Sequence, residues 1–312
     1  MTASASLERR GPLATIAAWV QASRLPSQSY IALPLLLGQA LAAHQHGRPL
    51  ATGTLAVVQL FGVLDQLFIV YANDWADQDT DRLNHTPTLF SGGSRVLVHG
   101  RLSPRAIGTA AVVCAAGLVA LSVALAWILH TYLLVPLAAS ALALLWAYSY
   151  APLRLSYRGG GEWLQMLGVA GVLPLYGYLA QGGDLAGFPW RLLALLFPTH
   201  LACAVATSLP DAPSDAGSDK RTWAVRVGGE RAAWTIAALD AVSIALLLPV
   251  TRSLGLHVPA PWLLVPLLAA VAVVAVRPAP PGSRLILVRV GAAILVTLSV
   301  VALVLLALLG AW

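Results

Sequence analysis

Two stretches of this chain concentrate carboxylates at a regular spacing. In YANDWADQDTDRLN, residues 71–84, Asn73, Asp77 and Asp81 recur at every fourth position, and Asp74 stands one position round. If the preceding helix runs on through them, they share one face. Carboxylates stacked this closely repel one another, and a bound cation relieves the repulsion. Hard oxygen ligands with room for water and phosphate suit Mg²⁺, which takes one or two carboxylates and leaves the rest of its shell to substrate. Alone, the stretch could equally be a solvated acidic helix end. A second cluster shifts the balance: in DAPSDAGSDKRTWAVRVGG, Asp211, Asp215 and Asp219 repeat the four-residue step beside Lys220 and Arg221. Two such clusters suit a diphosphate bridged by Mg²⁺, with Arg95, Lys220 and Arg221 as direct donors. Pro213 predicts a turn, rather than a helix, from Asp211 to Asp215.

A third polar stretch, AYSYAPLRLSYRGGGEW, offers Tyr148, Tyr150, Tyr157, Arg154 and Arg158. These are phosphate donors or, equally well, an interfacial aromatic belt with topology-setting arginines. Its glycine run permits a tight turn but lacks the Gly-Lys-Ser/Thr ending of a phosphate-binding P-loop.

The elements that must carry these residues are membrane helices. Of the 312 residues 58% are hydrophobic and only 10% charged, against roughly a quarter charged in soluble domains. Apolar runs of bilayer-spanning length, about 20 residues, predict about nine spans, near 28–44, 52–74, 105–128, 131–149, 163–181, 191–210, 232–251, 259–276 and 286–311. The expected architecture is an all-α integral membrane bundle, one polytopic domain over 1–312, with 1–24 as an interfacial N-terminal segment rather than a signal peptide. The runs are continuous, which argues against a strand-built barrel.

With the N-terminus inside, every Lys and Arg except Arg48, Arg191 and Arg252 falls on the cytoplasmic side, Arg9 and Arg10 included. That asymmetry explains the net charge of +6 without nucleic acid, and it puts all three polar stretches on one membrane face. The expected setting is the inner (plasma) membrane. Cys114 and Cys203 fall in apolar helix and read as packing residues. Nothing implies a protein partner.

NDWADQDTD resembles the N-D-x-x-D-x-x-x-D motif of the UbiA superfamily of intramembrane prenyltransferases. DAPSDAGSDKRTWAVRVG is similar to that superfamily's second D-x-x-x-D motif with its Lys-Arg-Thr tail. SYAPLRLSYRGGGE resembles the loop with the Tyr-x-x-x-Lys element, in its menaquinone-branch form, and ASRLPSQSYIALPLLLGQALA resembles that branch's opening. The resemblance implies a bundle around a central cavity, in which Mg²⁺ on both motifs binds a polyprenyl diphosphate. It implies transfer of the isoprenyl group to an aromatic acceptor, 1,4-dihydroxy-2-naphthoate in the menaquinone branch. Carried over by position, Asp74, Asp77, Asp81, Asp211 and Asp215 are the expected metal ligands, with Asp74, Asp77 and Asp215 central to catalysis. Arg24, Asn73, Arg95, Tyr150, Arg154, Lys220 and Arg221 are the expected diphosphate contacts.

The chain departs from the pattern in several places. Arg154 replaces the usual Lys, Thr207 and Ser208 replace Asn-Asn, Pro210 replaces Arg, and Asp219 replaces Gly. Other acceptors (4-hydroxybenzoate, homogentisate, a specialised phenol), acceptor-free cyclisation of the prenyl chain and, from another class, secondary transport are the competing readings. Transporters place charged sites near the midplane, whereas both clusters here sit at helix ends. Asp65, inside the second span, is expected either to serve a function or to pair with a neighbouring helix. His200 is expected to be packed, Trp75 to anchor at the interface, and His85 or His99 to be at most a proton acceptor.

Overall fold

The computed structural model describes residues 11–85, 87–88, 92–277 and 279–310. Arg9, Arg10, the start of the expected interfacial segment and the last residue of the final expected span lie outside the described residues. Among the described residues every regular element is a helix, and the helices pack largely in chain order. The first is α1 (Pro12–Ala22), followed by α2 (Gln28–Gln45) and α3 (Thr52–Ala76). A short α4 (Gln78–Leu83) leads to α5 (Pro104–Ile128) and α6 (Leu134–Ser149). After α7 (Leu155–Arg158), α8 (Gly161–Met166) runs through a π-helical stretch, Leu167–Val172, into α9 (Leu173–Ala180). The remainder comprises α10 (Arg191–Ser208), α11 (Ala212–Gly217), α12 (Trp223–Val227), α13 (Gly229–Ser253), α14 (Leu264–Ala275) and α15 (Arg284–Leu308).

Helix α2 packs on α3, α3 on α5, α5 on α6, and α6 on α8; α10, α13, α14 and α15 continue the series, and α15 closes back on α2. Six helices among the described residues are long and apolar enough to cross a membrane: Thr52–Ala76, Pro104–Ile128, Gly161–Ala180, Arg191–Ser208, Gly229–Ser253 and Arg284–Leu308. Leu134–Ser149 and Ala260–Ala275 are apolar but shorter. The expected all-α membrane bundle is therefore present, with six helices among the described residues long and apolar enough to cross; length and composition do not confirm the count of nine.

Local sequence sets the helix starts. Ser103 caps α5, its hydroxyl accepting from Ala106 N–H at 3.1 Å ahead of Pro104, and Ser283 caps α15 in the same way. Packing inside an apolar solvent favours close backbone approach through small residues. Helices α2 and α9 use this: a Cβ on Gly38 would lie 1.9 Å from Pro174 O, and one on Gly177 2.2 Å from Leu35 O. Beside that crossing Phe61 stacks on Tyr176 at 3.9 Å, and Tyr176 shares a hydrogen bond with Ser122 at 3.0 Å. The outward faces remain apolar, with Val112, Val113, Trp127 and Ile128 of α5 exposed, as a lipid-facing surface requires. Helix α1 likewise exposes Leu13, Ile16 and Val20, which its period puts on one side.

Candidate active site

A cavity of about 270 Å³ opens at the polar end of the bundle. Its mouth is framed by α4, α11 and the ends of α3 and α10, and its deeper wall by α2, α6 and the α8–π segment. The first acidic stretch reaches it across a kink. Helix α3 ends at Ala76, and Asp77 adopts φ −98°, ψ 16° before α4 begins. The helical hydrogen bonds nevertheless continue, Asp77 N–H to Asn73 O at 2.9 Å and Asp81 N–H to Asp77 O at 2.8 Å. Asn73, Asp77 and Asp81 therefore keep their common face and all line the cavity.

The second stretch corrects an expectation. Asp211 to Asp215 is helical: Asp211 is the N-cap of α11, Pro213 lies in the first turn, and Asp215 N–H donates to Asp211 O at 2.8 Å. Proline is tolerated there because first-turn amides have no intrahelical acceptor. Asp211 and Asp215 thus both face the cavity. Asp219 is exposed and does not line it; its φ of 59° turns the chain so that Lys220 points back. A left-handed turn explains why glycine suits the position, and aspartate is among the few residues that tolerate it.

Charge at the mouth is closely paired. Lys220 Nζ donates to Asp77 Oδ2 at 2.9 Å and lies 4.0 Å from Asp215 Oδ1. Tyr157 donates to Asp77 Oδ1 at 3.1 Å and shares a hydrogen bond with Thr80 at 2.8 Å. Arg154 lies 3.5 Å over the Tyr157 ring, a cation–π contact. Asn84 Nδ2 and Gly92 N–H donate to Asp211 at 2.8 and 2.9 Å, tying the first acidic loop to the second. Glu162 accepts from Trp223 N–H at 2.7 Å, joining the tyrosine loop to the start of α12. Asp74 is sequestered: it pairs with Arg24 and accepts from the Ser94 hydroxyl, and from Ser94 N–H at 3.2 Å.

Crowding raises the remaining acids. Burial, with Asp74 and Asp77 nearby, pushes Asp81 up to about 7. Burial, only partly offset by Lys220, pushes Asp215 up to about 7. Burial works against the Lys220 ammonium, but Asp77, Tyr148 and Asp215 together hold its pKa above the usual lysine value. Among the described residues no three acidic, histidine or cysteine side chains converge closely enough to cage a metal. Hard oxygen donors under mutual repulsion do fit a magnesium ion that draws most of its shell from phosphate.

The profile of the UbiA prenyltransferase family matches residues 31–283. The chain belongs to this family. It is 31% identical, over 269 residues covering 83% of this chain and 84% of the relative, to a 1,4-dihydroxy-2-naphthoate octaprenyltransferase of Mycobacterium tuberculosis. A UbiA homolog from Aeropyrum pernix shares the fold, with TM-score 0.66, 19% identity and coverage of 88% of this chain and 97% of that one. A homolog from Archaeoglobus fulgidus, solved with GPP and Mg²⁺, aligns with TM-score 0.63 and 16% identity over 93% and 99% of the two chains. The protein is accordingly a multi-pass membrane prenyltransferase.

In this UbiA cavity the expected residues divide. Arg24, Asn73, Asp77, Asp81, Asp211, Asp215 and Lys220 line it. Asp74 lies behind, under Arg24. Tyr150 instead donates to Ala72 O at 2.8 Å, and Arg95 spans to the carbonyls of Asp81 and Asn84, so both brace the first acidic loop. Arg154 and Arg221 are exposed at the rim. His85 and His99 are exposed outside the cavity, and His200 is packed, with Nδ1 2.8 Å from Leu196 O. Residues overlooked in the sequence include Ser94, Asn84 and Glu162. The Gly92-Gly93 pair was the available signal for the first two: Gly93 has φ 68°, and a Cβ there would lie 2.0 Å from Asp81 Oδ2.

Proposed function

We propose that this chain transfers an isoprenyl group from a polyprenyl diphosphate to 1,4-dihydroxy-2-naphthoate, with Mg²⁺, as a step of menaquinone synthesis. The reading takes the chain as one polytopic domain in the inner membrane, with α1 in the interface and the cavity mouth on the cytoplasmic side. It rests foremost on the meeting of both acidic motifs with Lys220 at one mouth, above a cavity whose deeper wall is mostly apolar, with Ile31, Ile69, Val169 and Leu173 among its residues. The naphthoate octaprenyltransferase relative supplies the acceptor. The skew of Lys and Arg toward one face supplies the orientation.

Asp77, Asp81 and Asp215, with Asp211 alongside, would hold Mg²⁺ together with diphosphate oxygens, and the bound ion would neutralise charge on the leaving group. Asn73 orients an oxygen at the mouth. Lys220 and Arg24, already paired to Asp77 and Asp74, turn part of their hydrogen-bonding capacity to the phosphates. Donors fixed in place before the reaction stabilise charge that grows as the allylic C–O bond breaks. The diphosphate leaves with the bonding electron pair, and the acceptor ring carbon attacks the allylic carbon. The ring carbon that has formed the new bond then sheds its carboxylate as CO₂, and the electron pair of the broken C–C bond returns to the ring and restores its aromaticity. The apolar side chains of the deeper cavity, Ile31, Ile69, Val169 and Leu173 among them, keep water from the allylic cation and so protect it from hydrolysis.

Omitting Mg²⁺, or replacing Asp77 or Asp215 by Ala, should abolish prenyl transfer by protein that remains folded in detergent. An active Asp77→Ala enzyme would sink the assignment.

A further inference from the structure

Asp65 stands apart from the charge network of the mouth. It is 2% exposed, lines the cavity, and its Oδ1 makes no hydrogen bond. Of the two expectations, pairing with a neighbouring helix finds no partner for this oxygen among the described residues. Its chain neighbour Gln66 does reach across, to the Ser27 hydroxyl, but Asp65 does not. Asp65, Ile69, Asn73 and Asp77 recur every fourth residue and all line the cavity, so they form one stripe running from the membrane interior to the mouth. Along that stripe Asp65 lies roughly 12 Å below Asn73, at about 1.5 Å per residue. Ile69 above it and Ile31 of α2, which lies beside Gly62, line the cavity as well. A carboxyl without a partner in apolar surroundings is costly, and an isoprenyl chain laid against it offers no donor.

We infer that Asp65 accepts a hydrogen bond from a ring hydroxyl of the aromatic acceptor and so positions the ring for attack. This deepens the proposed function and rests on it. In either protonation state the carboxyl presents an oxygen that can accept. The separation from Asn73 is comparable to a two-ring hydroxylated acid seated against the allylic carbon plus the C–O bond to phosphate. The ring hydroxyl satisfies the orphaned oxygen, and the hydrogen bond leaves more electron density on the ring that attacks. A site built to pair a hydroxyl rejects an analogue lacking it far more strongly than an apolar wall does.

The test compares wild type, Asp65→Leu and Asp65→Asn, using 1,4-dihydroxy-2-naphthoate and its mono-O-methyl ethers. Wild type must first make prenylated product; if it does not, the proposed function fails before Asp65 is in question. With product in hand, Asp65→Leu should raise KM for the acceptor roughly ten- to hundredfold. KM for the prenyl diphosphate should stay unchanged, and discrimination against one methyl ether should be lost. Asp65→Asn keeps a carbonyl acceptor and should recover much of the acceptor KM. An unchanged acceptor KM in Asp65→Leu would overturn the inference, as would an effect confined to preferred prenyl length. If Asp65→Leu does not fold, wild type decides alone: equal use of the dihydroxy acid and both methyl ethers refutes it, and rejection of one ether supports it.

Discussion

Replacing Lys220 by Met tests how charge at the cavity mouth is balanced. Lys220 is 10% exposed and Asp77 6%, with Nζ and Oδ2 2.9 Å apart, and Asp215 lies 4.0 Å from the same ammonium. Methionine keeps the volume of the stem and removes the charge, leaving Asp77 and Asp215 buried without their shared cation. Breaking a buried pair in this way costs about 3–5 kcal/mol. The loss is tempered by protonation, because Asp81 and Asp215 already bind protons up to about pH 7. Without Lys220 their pKa values rise further, and each unit of rise returns about 1.4 kcal/mol once the group is protonated. The metal-free variant should therefore melt well below wild type at pH 8 and closer to it at pH 6. Mg²⁺ with inorganic diphosphate should stabilise the variant more than wild type at pH 8, since the ion takes over the neutralisation. Its kcat should fall about 10²–10³-fold, the typical effect of losing one preorganised donor. Thermal unfolding in detergent, followed by tryptophan fluorescence, reads the first effects and product formation the last. A variant that melts with wild type at pH 8 and keeps its kcat would refute the reasoning.

Further predictions follow from the same geometry. The raised Asp81 and Asp215 values mean that the folded, metal-free state holds more protons than the unfolded one between about pH 4 and about pH 7. Their stabilising contribution is therefore present at low pH and lost as pH rises to about 7. Melting of the metal-free protein should reflect this, with Mg²⁺ narrowing the gap between pH 5.5 and pH 8; equal Mg²⁺ stabilisation at both would count against it. Gly93→Ala should cut activity by more than tenfold, because the added methyl meets Asp81 Oδ2 at 2.0 Å and the backbone has φ 68°; steady-state kinetics would show it. Tyr150→Phe removes one hydrogen bond to Ala72 O and should cost about 1 kcal/mol of stability. It should leave KM for the prenyl diphosphate unchanged, whereas a large rise would return Tyr150 to the substrate.

The sequence made the acidic motifs and the membrane helices readable for separate reasons. Long apolar runs announce helices by composition alone, and a four-residue step gives a shared face wherever the helix continues, as it does through Asp77. What the step cannot give is the neighbour on that face. Asp74 and Asp77 sit three residues apart, yet one is sealed by Arg24 and Ser94 and the other opens to the cavity beside Lys220. Those partners come from distant parts of the chain. Pro213 was misjudged because helix-breaking applies to interior positions, and the chain alone does not reveal that α11 starts one residue earlier. Asp65 could not be placed from its position in an apolar span alone, because only the packed bundle shows that it lines the same cavity as Asn73 and Asp77.

The central claim is the reaction itself. Purified protein with Mg²⁺, a polyprenyl diphosphate and 1,4-dihydroxy-2-naphthoate should yield a product whose mass equals acceptor plus prenyl group less CO₂, detected by mass spectrometry. A product that keeps the carboxylate, a preference for another aromatic acid, or a cyclic terpene formed without acceptor would contradict it.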